Sequence, residues 1–184
     1  MLRTLPQTRD ARVSYRLAGI AALTLLTIIA ARITIPMQPV PFTLQPLAVL
    51  LAGLILGARD GALSQIAYLA LIALNLPVDA RGLGAAALVG PTAGYLFGFV
   101  AGAFVAGLLV ERGSRRMAQR WLAGVAGIAA IYLFGVVVLK LNTGMAWDAA
   151  WAAGAAPFLV PDLAKALIAA GLAEGGRSLL MRHI

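Results

Sequence analysis

Two ionisable residues, Asp162 and Lys165, lie in an otherwise apolar stretch near the C-terminus. A charged group costs roughly 2.5–3.5 kcal/mol at the centre of a membrane helix, so such residues are usually turned inward and serve a purpose. At a spacing of i, i+3 the two side chains are neighbours on a helix, and Pro161 suits the start of that helix. The pair predicts either a salt bridge that locks the helix end or a polar ligand site. In such a site Lys165 would bind an anion and Asp162 would accept N–H donors.

Four other residues are candidates for the same site. Gln45 follows a Pro-rich segment and can both donate and accept hydrogen bonds. Tyr68 and Tyr95 each offer a ring for stacking and a hydroxyl, and Arg81 offers a second cation in a Gly-rich segment. Each also has a purely structural interpretation, as a packing or interfacial tyrosine or as a solvated loop arginine. We therefore predict a substrate-binding set of Asp162, Lys165, Gln45, Tyr95, Arg81 and Tyr68.

Several kinds of chemistry are excluded by what the sequence lacks. The chain has no cysteine and one histidine, His183, at its extreme C-terminus, so we predict no metal site and no histidine-activated serine nucleophile. Neither Lys140 nor Lys165 is preceded by the glycine pattern of a phosphate-binding P-loop. We predict no catalytic residues, no cofactor and no ATP site on this chain.

The elements that must position these residues are membrane helices. Hydrophobic residues make up 61% of the chain and charged residues 12%, against about half and a quarter in soluble domains. At about 20 residues per span, the 184 residues predict an all-α integral membrane protein with a single membrane domain. Six transmembrane helices are predicted, at residues 17–35, 44–56, 62–76, 92–110, 121–141 and 158–180.

The net charge of +8 is interpreted as setting orientation in the membrane and not as a nucleic-acid surface. Lys and Arg are retained on the cytoplasmic side, and eleven of the fifteen fall on the side that carries both termini. These eleven are Arg3, Arg9, Arg12, Arg16, Arg59, Arg112, Arg115, Arg116, Arg120, Arg177 and Arg182. Arg32, Arg81 and Lys140 fall on the other side. Both termini are therefore predicted to be cytoplasmic, with segments 35–43, 78–91 and 142–157 on the outer face.

Small residues recur at four-residue spacing on several predicted helices, where they allow close helix contact. Gly94, Gly98 and Gly102 form one such row, and Ala18 and Ala22 form another on the first helix. Each row predicts either internal packing or the docking of a partner membrane protein.

Three sequence blocks together resemble the BioY family, the biotin-specific substrate-binding (S) components of energy-coupling factor (ECF) transporters. The blocks are residues 39–45 (PVPFTLQ), 90–96 (GPTAGYL) and 161–166 (PDLAKA), and the likeness extends from about residue 15 to residue 180. The resemblance implies a six-helix S-component bundle in the bacterial cytoplasmic membrane. It also implies a biotin site near the outer face, covered by the loop between the first two helices.

The family resemblance further implies partners and roles. Family members usually work with a transmembrane coupling protein and two cytoplasmic ATPases, and Ala18 and Ala22 fit the coupling-protein contact. Lys165, with Arg81, suits the carboxylate of biotin, and Asp162 suits an N–H of its ureido ring.

Three alternatives stay open: an S component for another small vitamin, a solitary facilitator without ATPases, and a membrane enzyme using the Asp–Lys pair as acid and base.

Overall fold

The computed structural model describes residues 6–113 and 116–181, with the surroundings of side chains given for residues 13–113 and 116–175. Arg3, Arg115, Arg182 and His183, which entered the sequence predictions, lie outside these residues. The elements in chain order are α1 (Pro6–Arg32), β1 (Thr34–Ile35), β2 (Phe42–Thr43), α2 (Gln45–Ala73), a 3₁₀ turn (Gly84–Leu88), α3 (Ala93–Arg112), α4 (Met117–Thr143), α5 (Trp147–Gly154), a second 3₁₀ turn (Ala156–Phe158) and α6 (Leu159–Met181).

Five helical stretches of the described chain are long and apolar enough to cross a membrane. They are Val13–Arg32, Gln45–Ala73, Ala93–Arg112, Met117–Thr143 and Trp147–Gly175. Their surfaces remain rich in exposed Leu, Ile and Phe side chains, such as Leu25, Leu133 and Leu172. Water does not stabilise such a surface, whereas lipid does.

Helix α2 reverses direction at Gly57, so that it consists of two antiparallel segments. Gly57 has φ 84° and ψ −177°, a conformation that only glycine adopts without strain. Beyond it the chain folds back, and a Cβ on Gly61 would lie 2.8 Å from the carbonyl oxygen of Ala52. The Glu111 carboxylate accepts a hydrogen bond of 2.8 Å from the backbone N–H of Ala58, at the start of the second segment. The sequence predicted a five-residue turn here, and the structure confines the break to one residue.

Glycine rows bring α2, α3 and α4 into close contact. A Cβ on Gly98 would lie 2.9 Å from the carbonyl oxygen of Ile131, and a Cβ on Gly102 would lie 2.9 Å from that of Gly127. On α2, a Cβ on Gly53 would lie 3.0 Å from the backbone nitrogen of Gly107. These rows therefore serve internal packing, in which small residues let backbones approach.

Helix α1 lies at the edge of the bundle and is held to α2 by buried polar contacts. Thr24 donates a 2.9 Å hydrogen bond to the carbonyl oxygen of Ser64, and the amide of Gln65 donates one of 3.2 Å to the hydroxyl of Thr27. On the other side of α1, Ala18 and Ala22 are exposed. The row predicted on this helix therefore lies on the surface of the bundle.

The connections at one end of the bundle gather around an antiparallel hairpin. Strands β1 and β2 pair Thr34 with Thr43 and Ile35 with Phe42. The segment between them contains Pro36, which with its neighbouring prolines prevents helix formation. Segment 74–92 and helix α5 lie at this same end, which we call the hairpin end.

Candidate functional site

A cavity of about 70 Å³ lies at the hairpin end, between α2, α3, α4, α6 and the loops. Its walls are apolar over much of their surface, through Val40, Leu96, Phe99, Ile131 and Phe158. Nine polar or ionisable side chains also line it. They are Thr43, Gln45, Asp79, Arg81, Thr92, Tyr95, Tyr132, Asp162 and Lys165.

The Asp162–Lys165 pair lies at the inner wall of this cavity. Asp162 is 3% exposed and Lys165 is 5% exposed. The Lys165 Nζ donates hydrogen bonds of 2.7 Å to Asp162 Oδ1 and of 2.7 Å to the carbonyl oxygen of Thr43. It also lies 4.0 Å from the ring centroid of Phe42, an arrangement that favours a cation. The predicted salt bridge is therefore present, and both of its partners line the cavity.

Helix α6 places these charges because it begins at Leu159. Pro161 falls in the first turn, where its missing N–H has no helical partner in any case. Asp162 follows it, in the part of a helix where the macrodipole favours a negative charge. Phe158, just before the helix, stacks on Phe42 at a centroid distance of 6.3 Å and joins the hairpin to α6.

Tyr132 of α4 is a site residue that the sequence prediction missed. Its hydroxyl donates a hydrogen bond of 2.6 Å to Asp162 Oδ2. The two carboxylate oxygens of Asp162 are thus separately engaged, one by Tyr132 and one by Lys165. Charge-assisted hydrogen bonds of this length are strong and directional, so they fix the orientation of the carboxylate.

Gln45 lies at the start of α2, where its side chain lines the cavity and is 3% exposed. Its Nε2 donates a 2.8 Å hydrogen bond to the hydroxyl of Tyr68, and its backbone N–H donates one of 3.2 Å to the hydroxyl of Thr43. Tyr68 is fully buried and does not line the cavity; its hydroxyl donates to the carbonyl oxygen of Val78 at 3.3 Å. Tyr68 therefore orients Gln45 from behind.

Tyr95, near the start of α3, lines the cavity. Its hydroxyl donates a 2.7 Å hydrogen bond to the carbonyl oxygen of Gly154, at the end of α5. The absence of a side chain at Gly135 leaves room for the ring, because a Cβ there would lie 2.6 Å from its Cζ atom. Tyr95 thus contributes an apolar wall to the cavity and ties α5 to the bundle.

Arg81 lies at the rim of the cavity and is exposed to the surroundings. Its Nη2 donates a 2.6 Å hydrogen bond to the carbonyl oxygen of Pro39, in the hairpin loop. Asp79, which is 3% exposed, accepts backbone N–H groups of Arg81 at 3.0 Å and of Gly84 at 2.9 Å. The loop that carries Arg81 is therefore well ordered by local hydrogen bonds, and it reaches across to the hairpin.

Five of the six predicted residues line one cavity, namely Asp162, Lys165, Gln45, Tyr95 and Arg81. They come from four separate regions of the chain and from both sides of the cavity. The polar lining of the cavity includes the buried cation Lys165, the exposed cation Arg81, the buried carboxylates Asp79 and Asp162, an amide and hydroxyl groups. This set suits a small polar organic molecule with an apolar body. Among the described residues, no group of three or more His, Cys, Asp or Glu side chains could hold a metal ion.

Comparisons with known proteins agree with this arrangement. The sequence model of the BioY family matches residues 5–182. The biotin transporter BioY of Thermotoga maritima is 45% identical over 157 residues, which cover 85% of this chain and 90% of that protein. The biotin transporter BioY of Rhodobacter capsulatus is 44% identical over 142 residues, covering 70% and 74% respectively.

A solved structure is also similar over nearly the whole chain. It is the crystal structure of the S-component for biotin from an ECF-type ABC transporter, with a TM-score of 0.84 and 25% sequence identity. The match covers 96% of this chain and 95% of that one. Together these likenesses confirm the prediction of a mostly helical, multi-pass membrane protein with an S-component fold.

Proposed function

The chain belongs to the BioY family, and from this membership and the geometry of the site we propose that it binds biotin for uptake as the S component of an ECF transporter. The observation that carries the proposal is the buried Asp162–Lys165 pair, 2.7 Å apart, on the wall of a cavity with apolar sides. Biotin combines a ureido group, an apolar bicycle and a carboxylate. The site offers a complement to each part.

We assign the ureido group of biotin to the buried pair. A ureido group carries N–H donors beside a carbonyl acceptor, and the pair carries a carboxylate, which can accept from N–H, beside an ammonium group, which can donate to a carbonyl. A carboxylate bound at Lys165 would lie within a few ångströms of Asp162, where two anions repel each other strongly in a low-dielectric site. The neutral end of biotin therefore fits the inner wall better than its charged end.

We assign the biotin carboxylate to Arg81 at the rim. Arg81 is exposed, and its contact with Pro39 uses one of the five guanidinium N–H groups. A carboxylate at the rim keeps part of its hydration, which lowers the cost of binding a charge. This assignment revises the sequence-based suggestion that Lys165 meets the carboxylate.

A ligand comparison tests this orientation. We expect purified wild-type protein to bind biotin up to about fivefold more tightly than biotin amide, since an exposed ion pair contributes about 0.2–1 kcal/mol. In Arg81→Gln the preference should disappear, although both affinities fall if the loop loosens. Lys165→Met should weaken both ligands alike. A preference for biotin over its amide that persists in Arg81→Gln and is lost in Lys165→Met would reverse the assignment.

A comparison of different vitamins tests whether biotin is the ligand. Calorimetry with biotin, thiamine and riboflavin should give heat of binding for biotin alone. Strong binding of another vitamin and none of biotin would contradict the proposal while leaving the fold assignment intact.

We propose that the chain crosses the bacterial cytoplasmic membrane six times, with both segments of α2 crossing. The two segments meet at their far ends through Gln45 and Tyr68, so they run antiparallel. Each is short, about 18–24 Å at 1.5 Å per residue, against roughly 30 Å for the hydrocarbon core. Local thinning of the bilayer or shielding by α1 and α3 accommodates them.

The counts of Lys and Arg on the two sides support cytoplasmic termini. Accessibility labelling of single cysteines introduced into the cysteine-free chain tests this orientation.

Uptake is proposed to depend on a transmembrane coupling protein and two cytoplasmic ATPases. Ala18 and Ala22 are exposed on α1 at one-turn spacing, which suits close contact with another helix. Replacing both by Leu should reduce co-purification with the coupling protein and leave biotin binding unchanged. Ala70→Leu, at an exposed position of α2, is the matched control. Undiminished uptake into liposomes that contain this chain alone would favour a solitary facilitator instead.

A further inference from the structure

A second cavity, separate from the site, lies between α4 and α6 on the outside of the bundle. The two helices touch near Gly124, where a Cβ would lie 3.1 Å from the Cβ of Ala166. Towards the hairpin end they diverge and leave a groove of about 660 Å³, which α5 covers at one end. This volume falls within the about 300–1,000 Å³ of pockets that hold small molecules. We call it the α4–α6 groove.

The walls of the α4–α6 groove are apolar. They include Val125, Leu133 and Val136 of α4, Leu163 of α6 and Trp151 of α5. Leu133 is 65% exposed and Trp151 is 49% exposed, so the groove opens onto the surface that faces lipid. Water is not a stable occupant of an apolar cavity surrounded by hydrocarbon. The occupant that the surroundings supply is an acyl chain.

Two charges lie at the end of the groove nearest the hairpin end, one beside a lining residue and one on the lining itself. The Lys140 Nζ lies 5.1 Å from the centroid of the Trp147 ring, and Trp147 lines the groove. Lys140 forms no ion pair among the side chains of residues 13–113 and 116–175. Asp148, the next residue after Trp147, also lines the groove and is exposed. A free ammonium group and a carboxylate thus flank an aromatic residue of the type found at the membrane interface.

We propose that the α4–α6 groove binds one molecule of phosphatidylethanolamine. An acyl chain occupies the apolar groove, the phosphate contacts Lys140 and the headgroup ammonium contacts Asp148. A phosphatidylglycerol headgroup offers Asp148 hydroxyl groups but no cation, and a choline headgroup offers a cation that cannot donate N–H hydrogen bonds to it. The pair of charges therefore favours a lipid with a phosphate and a primary ammonium group.

The position of this lipid gives it a direct connection to the site. Tyr132 lines both the α4–α6 groove and the site cavity, and its hydroxyl holds Asp162. A chain in the groove would pack against the outer side of Tyr132 and restrict its motion. The lipid site goes beyond the proposed function, because it can be detected without any vitamin present.

Native mass spectrometry of the purified chain tests the proposal, with phosphatidylethanolamine, phosphatidylglycerol and phosphatidylcholine supplied in equal amounts. We expect a single retained lipid per chain, with phosphatidylethanolamine preferred. Lys140→Gln should reduce retention of all three lipids about fivefold, since a Lys near the membrane surface contributes about 1 kcal/mol. Asp148→Asn should remove the preference among headgroups.

Substitutions that fill the groove provide the decisive comparison. Ala129→Trp places an indole in the groove and should abolish lipid retention, whereas Ala70→Trp, on an exposed face of α2, should not. Leu133→Trp is a second groove-filling variant in case the first does not fold. Equal retention in Ala129→Trp and wild type, a preference for phosphatidylglycerol, or a dimer mass in place of a lipid adduct would each overturn the proposal.

Discussion

Lys165→Met is the substitution that tests the site most directly. The methionine is one atom shorter than lysine, keeps an unbranched apolar side chain and removes the charge. Three contacts of the ammonium are lost: the 2.7 Å bonds to Asp162 and to the Thr43 carbonyl, and the position 4.0 Å from the Phe42 ring. The apolar part of the side chain still fills its place, so the effect isolates the charge.

The expected loss of biotin affinity is the contribution of the hydrogen bond from the Lys165 ammonium to the ureido carbonyl. Such a bond from a charged donor contributes about 1.5–3 kcal/mol, or about 10-fold to 150-fold in Kd. Folding stability also falls, by up to about 3–5 kcal/mol, because the Asp162 carboxylate is left without its cation. The remaining 2.6 Å bond from Tyr132 offsets part of that loss.

A double variant separates the two effects. Asp162→Asn combined with Lys165→Met removes both charges, and replacing a buried pair by neutral groups is often close to neutral for stability. We expect its Tm to lie near that of the wild type, while biotin binding stays lost. Calorimetry on protein in nanodiscs gives the affinity, and a thermal shift assay gives the Tm.

Two results would refute this reasoning. Wild-type affinity in Lys165→Met, with the protein inserted and folded, would mean that the ammonium does not contact the ligand. Restored binding in the double variant would mean that the single substitution acted only by destabilising the fold.

Three further substitutions give separate checks. Tyr132→Phe should weaken biotin binding about tenfold by calorimetry, because a hydrogen bond to the charged Asp162 contributes about 1.5 kcal/mol at the low end; an unchanged Kd would count against a positioning role. Gly57→Ala should lower the free energy of unfolding by about 1–3 kcal/mol in thermal unfolding, because the φ of 84° at this position is strained for alanine. Gly171→Ala is the control, because a Cβ on Gly171 would lie 3.7 Å from its nearest neighbouring atom. Tyr95→Phe should cost about 1 kcal/mol of stability and change biotin affinity by less than about threefold, since its hydroxyl already donates to the carbonyl oxygen of Gly154. A loss of affinity comparable to that of Lys165→Met would show that the hydroxyl contacts the ligand.

Features that depend on local spacing could be predicted from the sequence. Asp162 and Lys165 are three residues apart, so any helix there places them together. The reversal at Gly57 was predicted because a Gly-containing polar segment interrupts two apolar runs, although the length of the break was not. The row from Gly94 to Gly102 fixed one face of α3, and the structure shows that this face packs on α4.

Features that depend on packing between distant segments could not be predicted in this way. Tyr132 lies thirty residues before Asp162, and no spacing rule connects positions on different helices. Tyr68 was predicted as a site residue but does not line the cavity. It has the same chemistry as Tyr95, and only the packing places it behind Gln45. Asp79, in the predicted outer segment 78–91, is buried as an acceptor for two backbone N–H groups, and no local sequence pattern indicates this.

Lys165 and Arg81 both donate hydrogen bonds to the hairpin, and these bonds influence the affinity for a ligand. Lys165 donates to the carbonyl oxygen of Thr43 and Arg81 donates to that of Pro39, so both hold the hairpin over the cavity. The cavity measures about 70 Å³, well below the about 300 Å³ of small pockets that enclose a ligand. We therefore expect the hairpin to move when a ligand enters, because close glycine contacts hold α2, α3 and α4 together. The ligand then exchanges hydrogen bonds with the hairpin instead of adding new ones, and the affinity reflects the difference between the two sets of contacts.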